Sequence, residues 1–452
     1  MIIIFFNIII VIISIIILVD FKRGLILALC SRIAMPSIIR LELGSISVSN
    51  LDFISLVLCI ALFLNIRKNG KMPQSFVNFF LIDFFVCFVL ILLSSQYVPI
   101  EFQIESYVKV KILREGIFCI SGFYAFSTLN IKKDLKILWF VAIICGFYGI
   151  GAYLINLNPY ITGLSILYSG EEEAAQHFLD ETRAGLIGRA YGTMEHPLAW
   201  GQFWNILIIF VLSFKKDISK WALGVLLIVG VVNIVLCGSR SALIALLLSV
   251  FLFSFKYGIN VIFKYATCTL VLLTFFMVFS DNKKIRENDW AKYFYATVCF
   301  WDDSYAREAN IIGSSSSMRE NQLNAVIDVM AKYPFGVGYD YQTYARKTGN
   351  VVSDELLGLE SVVFKKNVEQ GFLGFMAFFI CLYIFFRGIR RYAPNNEDIY
   401  AVMAFYCGYL SNIIFTGMQE NNWTFFVVLS FCYYYKYKNS NLLINANSKF
   451  NI

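Results

Sequence analysis

The chain has 452 residues, 58% of them hydrophobic and only 15% charged, with a mean hydropathy of +0.66. A soluble domain carries about 25% charged residues, so this composition excludes a water-soluble globule and makes lipid the solvent for much of the surface. The net charge of +7 does not argue for nucleic acid, because the Lys and Arg residues stand in short clusters between apolar runs and form no single stripe.

In chain order, apolar runs long enough to cross about 30 Å of hydrocarbon recur from one end to the other. They fall at Ile2–Val19, Gly24–Ile39, Leu51–Ile66, Phe76–Val98, Ile112–Leu129 and Ile137–Leu157. After a polar stretch they resume at Pro197–Phe214, Trp221–Cys237, Ala242–Phe255 and Val261–Ser280, and after a longer one at Val368–Phe386, Ile399–Thr416 and Trp423–Tyr435. The fold class is therefore an all-α polytopic membrane protein with about 12 (11–13) transmembrane helices and a long structured extracytoplasmic loop. The first run has neither a basic leader nor a small-residue cleavage site and reads as a retained span. Arg32 and Pro36 interrupt the second, which reads as a re-entrant or tilted piece: an arginine facing lipid is costly and a proline breaks the helical ladder. The cysteines lie mostly inside apolar runs, show no CxxC spacing and read as small hydrophobes.

Short-loop charges set the orientation. When the spans alternate, Lys22 and Arg23, Arg67, Lys68 and Lys71, Lys132 and Lys133, Lys215, Lys216 and Lys220, Lys256 and Lys264, Arg387, Arg390 and Arg391, and Lys436 and Lys438 share one side, the cytoplasmic one. The polar stretches Pro99–Lys111, Asn158–Glu195 and Asp281–Asn367 then lie outside, as does the turn Gly238–Arg240. This divides the chain into a first bundle over 1–280, a long outer loop over 281–367, and last spans with a cytoplasmic tail over 368–452. Within the long loop, Leu323, Val326, Ile327 and Met330 recur at helical spacing and predict a helix over Met318–Tyr333.

The outer side carries arginines in unusual settings. Arg183 and Arg189 precede the span at Pro197, Arg240 sits in Gly238-Ser239-Arg240-Ser241-Ala242 between two apolar runs, and Arg319 opens the loop helix. Solvated loop charges explain Arg183 and Arg319 equally well, and an interfacial snorkelling arginine is the alternative for Arg240. Against that alternative, an arginine is disfavoured at an outer junction, and small neighbours let a ligand approach the guanidinium. Guanidinium groups at such a place suit a phosphate or diphosphate, which they bind bidentately. His196, in Glu195-His196-Pro197, is a candidate general base or simply the cap of the helix that Pro197 begins. Glu360, ahead of Gln370-Gly371, is a candidate base or an exposed loop glutamate. Asp83 is the one clear candidate for a transporter's relay, together with Arg114 and Glu115 at a span entrance, and three such residues do not make one. With two histidines and no HExxH, a zinc site is not expected.

Several islands, in order, resemble the O-antigen ligase and polymerase superfamily of bacterial envelope glycan assembly. Arg189-Ala190-Tyr191-Gly192-Thr193-Met194-Glu195-His196-Pro197 is similar to its Arg…Gly…His/Asn-Pro stretch, and Ser239-Arg240-Ser241 to its Ser-Arg-Ser junction. Arg319 with Pro334-Phe335-Gly336-Val337-Gly338 resembles the Arg…Pro-x-Gly-x-Gly run of the family's long periplasmic loop, and Glu369-Gln370-Gly371-Phe372-Leu373-Gly374 the helix start that closes it. The resemblance implies a metal-independent, cofactor-free glycosyltransferase of the inner membrane, with its site facing the periplasm. Donor and acceptor would be undecaprenyl-diphosphate-linked oligosaccharides, alongside membrane lipids, and a chain-length regulator protein is left open as a further partner. It assigns Arg189, Arg240, Arg319 and Arg183 to the diphosphate. Ligases of the superfamily carry a His-Asn pair where this chain has Glu360-Ser361, and that departure favours a polymerase over a ligase. A flippase or solute transporter is the reading from another class.

Overall fold

A computed structural model gives the fold. It describes residues 2–36, 38–43, 46–66, 74–94, 97–126, 130–155, 157–169, 189–258, 260–264, 316–359, 361–393, 396–415 and 419–449, with single positions 267, 271, 274 and 304. Among these, five helices are long and apolar enough to cross a membrane: Ile2–Val19, Lys136–Leu154, Arg240–Tyr257, Val362–Arg390 and Asp398–Phe415. Shorter apolar helices cover Asn50–Asn65, Leu81–Leu93, Pro197–Ser213 and Lys220–Leu236. Most of the expected span Val261–Ser280 lies outside the described residues.

The Pro197–Ser213 helix is buried on nearly all sides and forms the axis of the bundle, as expected for a helix that is apolar all round. The last helix, Gln419–Lys449, lies against it through rings, with Phe203 against Phe425 and Phe210 against Tyr433. Between them, Asn422 donates to the Ala199 carbonyl and to Gln202 Oε1, at 2.9 and 3.0 Å, so the buried amides answer one another.

Contacts sort the connections into two ends. At one end, Lys22 meets Asp134 at 2.6 Å, Lys436 meets Asp217 at 3.1 Å, Lys256 meets Asp398 at 3.3 Å, and Lys215 donates to the Tyr257 hydroxyl at 2.6 Å. These are the basic connections that the alternation of spans puts on one side. At the other end, the Tyr160 hydroxyl donates to the Ala34 carbonyl, Thr193 to the Ile33 carbonyl, Asn158 to the Gly192 carbonyl, and Ser361 to the Ile414 carbonyl. The second apolar run is a 14-residue helix, Phe21–Ala34, that passes from the basic end to the other. Its Arg32 turns inward, onto the Phe118 ring, the Arg114 carbonyl and Thr424 Oγ1, and so avoids lipid. A β-hairpin follows, Arg40–Leu43 paired antiparallel with Ile46–Ser49.

Two stretches read as outer loops are helical. Residues 159–169 form a helix whose Ile161 and Leu164 are buried. Residues 100–126 form one continuous rod, with α-helix at Ile100–Ser106, a π-helix at Tyr107–Gly116 and α-helix at Ile117–Phe126, so Lys111 lies inside the protein and not in a polar loop.

Residues 316–359 of the long loop fold as an outer layer; 281–315, apart from Ser304, lie outside the described residues. Its helix runs over Ser316–Lys332, close to the expected bounds, and packs on the Val362–Arg390 helix. Val326, Val329, Val337, Tyr341, Ala345 and Leu356 share a core with Val98 and Val368. The Val362–Arg390 helix breaks at Gly371, where φ is 63°. The Pro334–Gly338 turn enters this break: the Val337 and Gly338 amides donate to the Val368 and Glu369 carbonyls at 2.8 and 3.2 Å. A Cβ on Gly371 would lie 2.1 Å from the Pro334 carbonyl oxygen, and one on Gly336 would lie 2.4 Å from that of Glu369, so both glycines are required by close backbone approach. Gln103 completes the seam, accepting from the Tyr339 amide at 2.8 Å and donating to the Val98 carbonyl at 2.9 Å.

Candidate functional site

Two of the arginine-bearing islands come together at the end of the bundle opposite the basic connections. The Ala190 amide donates to the Leu236 carbonyl at 2.8 Å, which lays the 189–196 segment along the turn that follows the Lys220–Leu236 helix. Arg189 passes directly over Gly238: a Cβ there would sit 3.1 Å from Arg189 Nε and 3.2 Å from its Cγ. Gly238 also has φ 65° and turns the chain into Ser239, so it serves both the turn and the approach of the arginine.

Both adjoining helices begin here. Ser239 caps Arg240–Ser254 by accepting from the Ala242 amide, which makes Arg240 the first residue of that helix. His196 caps Pro197–Ser213, its Nδ1 accepting from the Leu198 amide at 3.1 Å, with Pro197 at the first helical position. Gly201, one turn into that helix, lies against Cys237 and Ala242, so the two starts are in contact. A helix N-terminus presents unsatisfied amides and the positive end of its dipole. Two such ends with Arg189 and Arg240 beside them form a field that favours a polyanion.

The capping bond fixes the histidine's chemistry. With Nδ1 engaged as an acceptor, the neutral ring carries its proton on Nε2, and His196 can take a second proton only by giving up the cap. Arg319 stands half-buried in the first turn of the Ser316–Lys332 helix, within the outer layer. Arg183 and Glu360 lie outside the described residues; Ser361, next to Glu360, begins the Val362–Arg390 helix.

A second charged region was beyond sequence reasoning. Lys111, on the π-helix, is fully enclosed, with Asp83 and Glu115 each 3.0 Å from Nζ and the Trp423 ring beneath it. One turn away, Arg114 binds Asp52 through Nε and Nη2, at 2.5 and 2.8 Å. Lys366 and Glu369, buried on the helix that breaks at Gly371, join Lys111, Glu115, Tyr339 and Asp340 around a cavity of about 20 Å³, the size of one water. A π-helix is rare, and its wider turn brings Lys111, Arg114 and Glu115 inward together. The sequence had singled out Asp83 within a span and Arg114 and Glu115 at a span entrance, but nothing in it joined them to Lys111.

With this geometry in view, comparison with known families finds one match. Residues 223–379 match the model of the O-antigen ligase family. This match, over about a third of the chain, supports the likeness to the O-antigen ligase and polymerase superfamily. The matched segment runs from the Lys220–Leu236 helix through the Arg240 turn, the outer layer and the Gly371 break; Arg189 and His196 precede it and reach it through the contacts described above. Members of the family are glycosyltransferase-like enzymes. No curated protein matches the sequence.

Proposed function

We propose that the chain polymerises oligosaccharide repeat units carried on undecaprenyl diphosphate into a surface polysaccharide, at the periplasmic face of the inner membrane. The observation that supports this reading is the packing of Arg189 across Gly238, beside Arg240, where two helices begin within and next to the family's domain. In the proposed reaction a hydroxyl of the acceptor saccharide attacks the anomeric carbon of the donor. The bond from that carbon to the diphosphate oxygen breaks, and the diphosphate leaves with the electron pair. Arg189 and Arg240, with Arg319 and Arg183 as further members of the set, stabilise the departing charge without a metal. The acceptor's proton passes to Glu360 or, at the expense of its cap, to His196.

A polymerase is preferred to a ligase because Glu360-Ser361 occupies the place of the ligases' His-Asn pair, and the chain has only two histidines, His177 and His196. The matched family's description as O-antigen ligase keeps the second reading in play. A deletion strain separates them: polymerase loss leaves lipid A core capped with single repeat units, whereas ligase loss leaves bare core. In the complemented strain, Arg240→Ala should lower polymer by about 10²–10³-fold at normal protein level, and Arg240→Lys should rescue poorly because an ammonium lacks the planar fork. Full-length ladders from Arg240→Ala would remove the diphosphate role.

A further inference from the structure

At the basic end, the first turns of the Lys136–Leu154 and Lys220–Leu236 helices and the Lys215–Asp217 turn border an open groove of about 800 Å³. Five lysines line it, Lys132, Lys136, Lys215, Lys216 and Lys220, against a single carboxylate, Asp217. That carboxylate is bound by Lys436, and nearby Asp134 by Lys22, neither of which lines the groove. Lys215 is held by the Tyr257 hydroxyl and ring. Lys132, Lys136, Lys216 and Lys220 make no ion pair among the described residues, so their charge faces the groove uncompensated.

The same groove has an apolar wall. Phe140 is 63% and Trp221 74% exposed, large values for rings one turn from the ends of membrane helices, with Ile143 and Leu223 continuing the wall towards the bundle's middle. A soluble anion would use the lysines and leave the rings in water. A lipid tail alone would use the rings and leave the lysines uncompensated. We propose that the groove is a binding site for an anionic phospholipid, its phosphate among Lys136, Lys216 and Lys220 and an acyl chain along Phe140 and Trp221. Both helix starts add their positive dipole ends to the phosphate position, and basic pockets between membrane helices bind anionic headgroups in this way. The site is separate from the arginine turns and does not depend on the reaction proposed there.

The test is native mass spectrometry of the full chain, released from nanodiscs holding equal amounts of phosphatidylglycerol, cardiolipin and phosphatidylcholine. The wild type should retain an anionic lipid and no phosphatidylcholine. Lys136→Gln/Lys216→Gln/Lys220→Gln should lower retention about tenfold or more. Arg387→Gln/Arg390→Gln/Arg391→Gln, which removes the same charge elsewhere, should leave it unchanged. Phe140→Ala/Trp221→Ala should weaken lipid retention while inorganic phosphate, added alone to the detergent-solubilised chain, protects the groove lysines from acetylation as in the wild type. Equal losses in both charge-removal variants would show attraction by overall charge and overturn the proposal. Full lipid retention by the ring variant would show that no acyl chain lies along Phe140 and Trp221 and overturn it as well. Should the lysine variant fail to accumulate, a photoreactive phosphatidylglycerol must label the wild-type chain within residues 132–143 or 215–223, and labelling elsewhere only would equally refute the site.

Discussion

Two regions bring charge into an otherwise apolar protein, in opposite ways. The Lys111 region closes on itself: its cation and both carboxylates come from the middle of helices, and the Arg114–Asp52 fork extends the same pattern. The arginine turns instead place Arg189 and Arg240 where two helices begin, so that guanidinium groups and dipole ends of one sign gather at the end of the bundle. The first arrangement is a means of holding helices together. Under the proposed function the second is a means of holding a ligand, and the contrast then predicts that stability and activity will part company between them.

The largest loss of stability should come from Lys111→Met, which takes the ammonium from between Asp83 and Glu115. Breaking such a buried set costs about 3–5 kcal/mol, and the variant should be poorly accumulated and melt far below the wild type in detergent. Lys111→Met combined with Asp83→Asn and Glu115→Gln should recover most of that loss. A Lys111→Met protein with wild-type melting would erase the distinction between the two regions.

Next comes the seam that joins the outer layer to the bundle. Gly371→Ala drives a Cβ to 2.1 Å from the Pro334 carbonyl oxygen at a backbone φ of 63°, a loss of about 2–4 kcal/mol. Because the strain falls on the Pro334–Gly338 turn, limited proteolysis should cut residues 316–361 at much lower protease concentration than in the wild type, before the bundle itself melts.

These two predictions also mark how far the sequence could be read. The arginine turns were legible because their signals are local: Gly238, Ser239 and Ser241 around Arg240, and the His196-Pro197 helix start, lie within a few residues of one another. The loop helix was legible from its apolar spacing. The Lys111 region was not, since Lys111 reaches Asp83 across 28 residues, Arg114 reaches Asp52 across 62, and Arg32 reaches Thr424 across 392. No periodicity encodes such pairings, and the π-helix that aims Lys111 and Glu115 inward leaves no mark in an apolar-polar pattern. The Gly371 break was half legible: the Gly-x-Gly run and the Gln370-Gly371 pair stood out, but not that one fills the other.

A smaller effect on stability, with a decisive one on activity, is expected at the proposed base. His196→Asn replaces one good helix cap by another, so melting should change by less than about 1 kcal/mol, yet Asn cannot accept a proton. If Glu360 is the base, Glu360→Gln lowers polymerisation by about 10²–10⁴-fold while His196→Asn keeps its ladders. The reverse result would make His196 the base and require its cap to open during turnover. Full ladders from both would leave positioning and arginine electrostatics as the whole of catalysis.

The smallest effect should come from the Lys22–Asp134 pair, and it tests whether burial or distance sets the scale. At 2.6 Å this contact is shorter than either of Lys111's, at 3.0 Å, so distance alone would rank it first. Its side chains are 27% and 23% exposed, however, against 4–10% for Lys111 and its partners, and water screens an accessible pair. Burial opposes the ionisation of Asp134, but the hydrogen bond and charge of Lys22 and the Asn130 amide outweigh it and hold the carboxyl below its usual range. A carboxyl depressed in the folded state contributes stability above its unfolded pKa, about 3.9, and loses it as pH falls through the lower folded value. Asp134→Asn should therefore lower the melting temperature by about 1–2 °C at pH 7. The gap from the wild type should hold down to about pH 5 and close below about pH 4, where the wild-type carboxyl also becomes neutral. A gap at pH 7 as large as that of Lys111→Met would mean that contact distance, and not exclusion of water, governs how this protein uses charge.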